Sequence, residues 1–370
     1  MIYMNNAATS WPKPPCVAEA AARALTERPG AMHRGGVEDF DVFDAVRGEL
    51  AHVLGVSDPS RIALGMNATW GLNLAIFGFP FKRKDVVVTT LAEHNSVLRP
   101  LHAMEQCGMI KVIYLDTDGS GRVPTGTWRS AMERYRPRLA VFTHASNVTG
   151  AVQDAREMTA VAKASDAAVL LDVSQTIGWQ RLALEDWGVD LAAFPGHKYL
   201  LGPQGTGGLW VREGLELTPH LVGGTGIKSD MDTMPEEMPL HLEAGTGNEP
   251  SFHGLLAALR WARGNPRDEA ACAARLDRLS QGLREAGAHV IVPEGDRTPV
   301  VSFNVPGQSA EDVGFMLTES YDIICRTGLH CAPRLFACGQ PGTTVRLSLS
   351  RFSTDEEVEE AVEAVRDIAG

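Results

Sequence analysis

No apolar run in these 370 residues approaches the ~20 that a membrane-spanning helix needs. Basic charge is in deficit. The 34 Lys and Arg stand against 46 Asp and Glu, a formal net charge of −12, which argues against nucleic acid or an anionic membrane surface as partner. Cysteine is scarce, with six residues and no regular spacing, so no disulfide framework is expected. The first residues, MIYMNNAATSWPKPP, carry neither a basic n-region nor an apolar h-region, so no secretory signal is expected. These absences point to a reducing, cytoplasmic setting. Neither an internal repeat nor a low-complexity linker breaks the chain. A content of 44% hydrophobic and 22% charged residues is ordinary for a soluble globular protein, and the length allows two domains or one large one.

What is present is a regular alternation. RIALG (61–65), DVVVTT (85–90), KVIYLD (111–116), LAVFTHAS (139–146), AVLLD (168–172), LAAF (191–194) and GGLWVRE (207–213) are short continuous apolar runs, the pattern of strands buried on both faces. Helical patterns lie between them at 72–76, 96–107, 127–135 and 155–165. The order predicts a parallel or mixed sheet covered by helices. Ligands of such sheets bind beyond the carboxyl ends of the strands. After about residue 250 the texture changes. Helical stretches at 251–264 and 270–286 lead to HVIVP, PVVSFNV and TVRLSLS, and TDEEVEEAVEAVRDIA closes the chain with Val358, Ala361, Val362, Val365 and Ile368 at helical spacing. This predicts a smaller α+β unit with an acidic, solvated face.

The stretch FPGHKYLLGPQGTGG (194–208) puts Lys198 at the end of a buried strand and just before a run of glycines. A lysine there is by default a capping or snorkelling side chain. A phosphate loop does not fit, because the glycines follow the lysine instead of leading up to it. The remaining chemistry is a desolvated amine that forms an imine with an aldehyde cofactor. Pyridoxal 5'-phosphate then demands a carboxylate against its pyridine nitrogen. Asp172, which closes AVLLD, stands where that carboxylate is needed, although a helix cap is the plainer role for an aspartate alone. GMNATWGLN offers the amides of Ala68 and Thr69, with the Thr69 hydroxyl, to a phosphate at a helix start. His94, after the next strand, could stack on a pyridine ring.

Taken in order, Y-M-N-N-A-A-T-S-W-P-K-P, G-M-N-A-T-W-G-L-N, A-E-H-N-S-V, H-A-S-N-V-T-G, L-L-D-V-S-Q, P-G-H-K, E-A-G-T-G-N, R-T-G-L-H-C-A-P and V-R-L-S-L-S resemble, nearly end to end, the class V aminotransferase-fold enzymes of the cysteine desulfurase and selenocysteine lyase family. The resemblance implies fold type I, an α/β class in which a large domain with a mostly parallel, mixed seven-stranded sheet (16–250) is joined by a smaller α+β domain (251–370 with 1–15). It implies pyridoxal phosphate and a homodimer with a shared active site. It makes Lys198 the imine-forming lysine, Asp172 the partner of the ring nitrogen, Gln175 the group on the ring hydroxyl and His94 the stacking and proton-moving histidine. Thr69 and His197 become phosphate-side residues, and Thr246 reaches the phosphate of the other subunit. Asn147 and Arg346 become binders of the substrate carboxylate, Arg326 an arginine at the mouth, and Cys331 the nucleophile.

Cys331 lies in a loop, between His330 and Pro333, and not in an apolar strand. Arg326 and His330, close in sequence, are groups that favour a thiolate, the form that attacks a substrate sulfur. Cys325 ends the apolar DIIC and is expected in the core. Cys325, His330, Cys331 and Cys338 match no zinc spacing, so no metal is expected. The chain departs from the family pattern at Pro195, where Ser or Thr often supplies a phosphate donor, at Asn5, where Asp is usual, and at Gly247, where Pro is common. The expected reaction converts L-cysteine to L-alanine with a persulfide on Cys331, passed to a thiol or a sulfur-acceptor protein. Selenocysteine lyase, cysteine C–S lyase, transaminase and epimerase reactions on the same cofactor are the alternatives, together with a catalytically dead dimeric scaffold. A nucleophilic thiol at 331 favours the sulfur and selenium reactions over transamination and epimerisation.

Overall fold

The computed structural model describes residues 1–28, 40–338 and 342–370. In chain order the elements are β1 (Ile2–Tyr3), α1 (Pro15–Thr26), α2 (Val42–Leu54), β2 (Ile62–Gly65), α3 (Ala68–Gly78), β3 (Asp85–Thr90), α4 (Asn95–Gln106), β4 (Ile110–Leu115), α5 (Thr125–Tyr135), β5 (Leu139–Thr143), α6 (Ala155–Lys163) and β6 (Ala168–Asp172). Then follow α7 (Leu184–Trp187), β7 (Leu191–Pro195), β8 (Gly207–Val211), α8 (Glu249–Gly264), α9 (Glu269–Glu285), β9 (His289–Ile291), β10 (Val300–Asn304), α10 (Ala310–Tyr321), β11 (Ile323–Ile324), β12 (Arg326–Gly328), β13 (Thr344–Ser348) and α11 (Asp355–Ala369).

Strands β2 to β8 form one seven-stranded sheet in the order β2-β8-β7-β6-β5-β3-β4. It is parallel from β7 to β4, and β8 runs antiparallel to both of its neighbours. The apolar runs predict a parallel or mixed sheet, and the mostly parallel, mixed seven-stranded form is the one the resemblance implies. Along β5 the side chains alternate between two cores. Ala140 and Phe142 join α2, α5, α6 and α8 on one face, whereas Leu139 and Val141 join α3 and α4 on the other. A strand covered on both faces has no polar position to spare, hence the continuous apolar runs.

The smaller unit is a four-stranded antiparallel sheet, β12-β13-β10-β9, packed with α9, α10 and α11. Ile2 and Met4 belong to its core, and β1 pairs in parallel with β11. Val358, Ala361, Val362, Val365 and Ile368 of α11 face that core. A capping box between Thr354 and Glu357 starts the helix, with the acidic first turn at the positive end of its dipole. Phe252, Leu255, Leu256 and Leu259 of α8 belong to the larger core. We propose that the divide falls after α8 rather than at residue 250, with the N-terminal segment grouped with the smaller unit. Helices α1, α2, α7 and α10 are absent from the sequence reading. The signs of α2 are there: Asp41 caps its first turn, Gly55 closes it in the left-handed region, and Phe43, Val46, Leu50 and Leu54 are buried on one face.

Candidate active site

The carboxyl ends of β3, β5, β6 and β7 open on a cavity of about 260 Å³, where ligands of open α/β sheets bind. Ala68, Thr69, His94, Asn147, Asp172, Gln175, His197 and Lys198 line it from the large unit, and Arg326 and Arg346 from the small one. Thr246 is exposed in the loop before α8 and lies outside the lining.

Lys198 sits in a tight turn after β7, where the Leu201 N–H donates to the Lys198 carbonyl and the Gly202 N–H to that of Gly196. The returning strand β8 passes so close to the start of α3 that a Cβ on Gly207 would meet the Asn67 Cα at 2.7 Å and the Phe194 carbonyl oxygen at 2.6 Å. Only glycine fits there. Lys198 Nζ makes no hydrogen bond or ion pair with another described residue. Burial, aided by Arg346 and Arg326 and opposed by Asp172, pulls its ammonium down to about 8. A useful fraction is therefore free amine near neutrality. Asp172 accepts the Ser174 N–H at 2.9 Å. Burial raises its carboxyl, while Ser174 and Lys198 work in the other direction.

The remaining groups have capacity to spare. Gln175 donates to the Ala7 carbonyl at 3.1 Å, and its buried Oε1 has no partner. His197 Nδ1 is likewise buried without one. The Asn67 side chain takes the Trp70 N–H, which leaves the N–H groups of Ala68 and Thr69 without an intrahelical acceptor. A neutral turn offering amides, a carboxylate at the far end and a free amine between them match the phosphate, ring nitrogen and aldehyde of pyridoxal phosphate. No side chain of Pro195 adds to the phosphate end.

His94 caps α4. Its Nδ1 accepts the Ser96 N–H at 3.0 Å, so the proton of the neutral ring is on Nε2. Burial, with Lys198 and the nearby arginines, pushes it down to about 3. Ser96 Oγ joins His94 Nδ1 at 2.9 Å to Thr69 Oγ1 at 2.7 Å. The sequence reading missed this serine, although it lies two residues from His94 in the quoted motif. It placed Glu93 at a strand end and gave it no role. This buried carboxyl accepts from Thr90 Oγ1 at 2.6 Å and from the Thr143 N–H at 3.0 Å, and burial lifts it to about 8. An acidic residue inside the turn A-E-H-N was the available signal.

Arg346 is buried, and burial with Arg326 beside it pushes its guanidinium down to about 10. It donates to the Asn147 carbonyl at 2.9 Å and to Asn5 Oδ1 at 3.1 Å, and its Nε has no partner. Asn147 donates one amide hydrogen to the His330 carbonyl at 2.7 Å. Arg326 Nη2 lies 3.2 Å from Cys331 Sγ. His330 does not support the thiol. Its Nε2 turns to Thr344, 3.1 Å from the carbonyl and 2.9 Å from Oγ1, and burial pushes the ring down to about 3. The expected help from His330 is therefore corrected: adjacency in sequence does not set side-chain direction, and both His330 and Cys331 sit at positive φ, 48° and 61°. Cys325 packs against the smaller core, and burial pushes its thiol up to about 11. Among the described residues no cluster of His, Cys, Asp and Glu could hold a metal, and no helix is long and apolar enough to cross a membrane.

The sequence profile of the Aminotransferase class-V family matches residues 2–361. A probable cysteine desulfurase 2 of Mycobacterium leprae is 33% identical, the match covering 99% of this chain and 91% of that protein. A probable cysteine desulfurase of Methanothermobacter thermautotrophicus is 30% identical over 100% and 95%. The solved apo structure of a cysteine desulfurase from Thermococcus onnurineus superposes with a TM-score of 0.91 at 29% identity, covering 100% of this chain and 94% of that one.

Proposed function

This chain belongs to the class-V aminotransferase family, and on that premise we propose that it is a pyridoxal-phosphate-dependent cysteine desulfurase that converts L-cysteine to L-alanine and keeps the sulfur as a persulfide on Cys331. The observation that carries the reading is the 3.2 Å contact between Cys331 Sγ and Arg326, a guanidinium that also lines the cavity of Lys198, Asp172 and Arg346. A transaminase or epimerase has no use for a thiol there.

Lys198, Asp172 and Gln175 would hold the aldehyde, ring nitrogen and ring oxygen of the cofactor, with Ala68, Thr69 and His197 at its phosphate. Bound pyridoxal phosphate supplies the electron sink that makes the substrate Cα proton removable and then weakens the Cβ–S bond. Arg346 and the second amide hydrogen of Asn147 bind the substrate carboxylate. Lys198, whose amine is partly unprotonated near neutrality, takes the Cα proton and returns it. His94, neutral down to about pH 3, is a poor acid. It acts as a ring-facing wall whose orientation Ser96 fixes. Asp172 would face the ring nitrogen; burial raises its carboxyl, and the bonds from Ser174 and the nearby Lys198 work in favour of its charge. The Cys331 thiolate attacks the substrate sulfur. The S–S bond forms as the Cβ–S bond breaks, that electron pair goes to carbon, and protonation gives alanine. One thiol and one cysteine thus become one persulfide and one alanine, with no outside oxidant.

The reading extends to a homodimer in which Thr246 reaches the partner's cofactor phosphate, in a cytoplasmic setting, with a thiol or acceptor protein removing the sulfur. The exposure of the Thr246 loop supports the first of these. Purified protein loaded with pyridoxal phosphate is given L-cysteine and a reducing thiol. Equimolar alanine and sulfide, both lost in Cys331→Ala, are expected. Cofactor uptake without alanine would overturn the desulfurase reading and leave the cofactor site standing.

A further inference from the structure

The N-terminal segment crosses from the smaller unit to the lysine turn and touches the site at every step. Asn5 meets Arg346. Asn6 Nδ2 donates to the Ser348 carbonyl at 2.9 Å, and the Ala7 N–H to Ser348 Oγ at 2.9 Å. The Ala7 carbonyl takes the amide of Gln175. The segment ends on one atom, the carbonyl oxygen of His197. That oxygen accepts from the Ser10 N–H at 3.1 Å, Thr9 Oγ1 at 3.2 Å, Ser10 Oγ at 3.2 Å and Lys13 Nζ at 3.3 Å. A carbonyl oxygen has two lone pairs, so four donors over-determine its position. The peptide so held is the one that joins His197 to Lys198.

Lys13 is the one cation among these donors. Its ammonium also donates to Ser10 Oγ at 3.0 Å, and no carboxylate among the described residues pairs with it. It pays for its burial, which pulls it down to about 8, with contacts to neutral acceptors only. A half-buried charge aimed at a backbone carbonyl, with no carboxylate beside it, is an uncommon way to hold a turn. A lysine needed merely for solubility would extend into water.

We propose that Lys13 is a positioning residue that fixes, through the His197 carbonyl, where the Lys198 amine stands. The charge–dipole contact orients the peptide plane ahead of Lys198, and the strap made by residues 5–13 sets that plane against Arg346 at the other end of the substrate. The proposal rests on Lys198 being the residue that takes up the cofactor. A cavity of about 680 Å³ lined by Lys13, Tyr3, Trp11 and Pro203 borders the ammonium on its outer side and gives a small alkylammonium ion a way in.

The test measures capture of pyridoxal phosphate by the apoprotein, independently of turnover. Borohydride reduction followed by mass spectrometry reports the fraction of Lys198 labelled with time, in wild type, Lys13→Met, Lys13→Arg and Lys13→Ala, the last with and without ethylammonium. The expected result is a ten-fold or greater fall in labelling rate for Lys13→Met at unchanged melting temperature. Lys13→Arg should restore most of it, and ethylammonium should rescue Lys13→Ala saturably. If Lys13→Met does not fold, the Lys13→Ala arm carries the decision. Labelling of the folded variants within two-fold of wild type overturns the proposal. So does a loss that neither Arg nor ethylammonium repairs, since the side chain would then be structural packing. Wild-type protein that captures nothing on Lys198 overturns the cofactor reading itself, and the proposal with it.

Discussion

Arg326 Nη2 and Cys331 Sγ stand 3.2 Å apart, five residues apart in sequence, across the end of β12. The contact brings a cation to the sulfur from a residue that also lines the cavity of Lys198 and Asp172. The loop that presents the sulfur is tied down on both sides. The Asn95 N–H donates to the Cys331 carbonyl at 2.7 Å, and Asn147 holds the carbonyl of His330. The loop of the proposed nucleophile is thus tied to the segments that carry His94 and Asn147.

Replacing Arg326 by Met removes the nearest cation and leaves the loop ties intact. Alanine formation should fall roughly ten-fold, because the charge-assisted contact to the sulfur is lost, while cofactor absorbance stays. Equal alanine rates in the two proteins would remove Arg326 from the chemistry of the thiol.

Replacing Arg346 by Lys substitutes a point charge for a fork that now serves Asn147 and Asn5 and has Nε still free. A charged hydrogen bond is worth about 1.5–3 kcal/mol, so the KM for L-cysteine should rise roughly 10- to 100-fold, with a smaller change in kcat. A fall confined to kcat would place Arg346 away from the carboxylate.

The Lys198 ammonium is pulled down to about 8 from 10.5. Capture of pyridoxal phosphate by the apoprotein needs the free amine. Its rate should climb about ten-fold per pH unit below 8 and level off above it. A rise continuing to pH 10 at constant slope would mean that the lysine is solvated.

The strands could be read because β2 to β8 are covered on both faces, so burial wrote unbroken apolar runs into the sequence. The strand direction of β8 left no such mark, since an antiparallel member of a buried sheet needs the same residues as a parallel one. Lys198 and Asp172 were legible from their places at strand ends. His330 was misread because its direction depends on a left-handed backbone at two successive residues, which composition does not encode. Lys13 and Ser96 were missed for a related reason. They act on atoms of other residues, a carbonyl 184 positions away and a ring two positions back, and nothing in their own chemistry announces the target.

Glu93 gives the sharpest test of the buried electrostatics. Its carboxyl is lifted from 4.5 to about 8, chiefly by burial and against the bonds from Thr90 and Thr143. Between those pH values the native state holds a proton that the unfolded chain has lost. The contribution of Glu93 to stability must therefore fall as pH rises through this window, by about 1.4 kcal/mol per unit at the limit. Glutamine keeps the acceptor for Thr90 and the Thr143 N–H and has no proton to lose. Urea unfolding of both proteins at pH 5 and pH 8.5 should show Glu93→Gln gaining on wild type by at least about 2 kcal/mol at the higher pH. Parallel behaviour of the two proteins would mean that Glu93 is already ionised in the native state, with its free Oε2 solvated rather than orphaned.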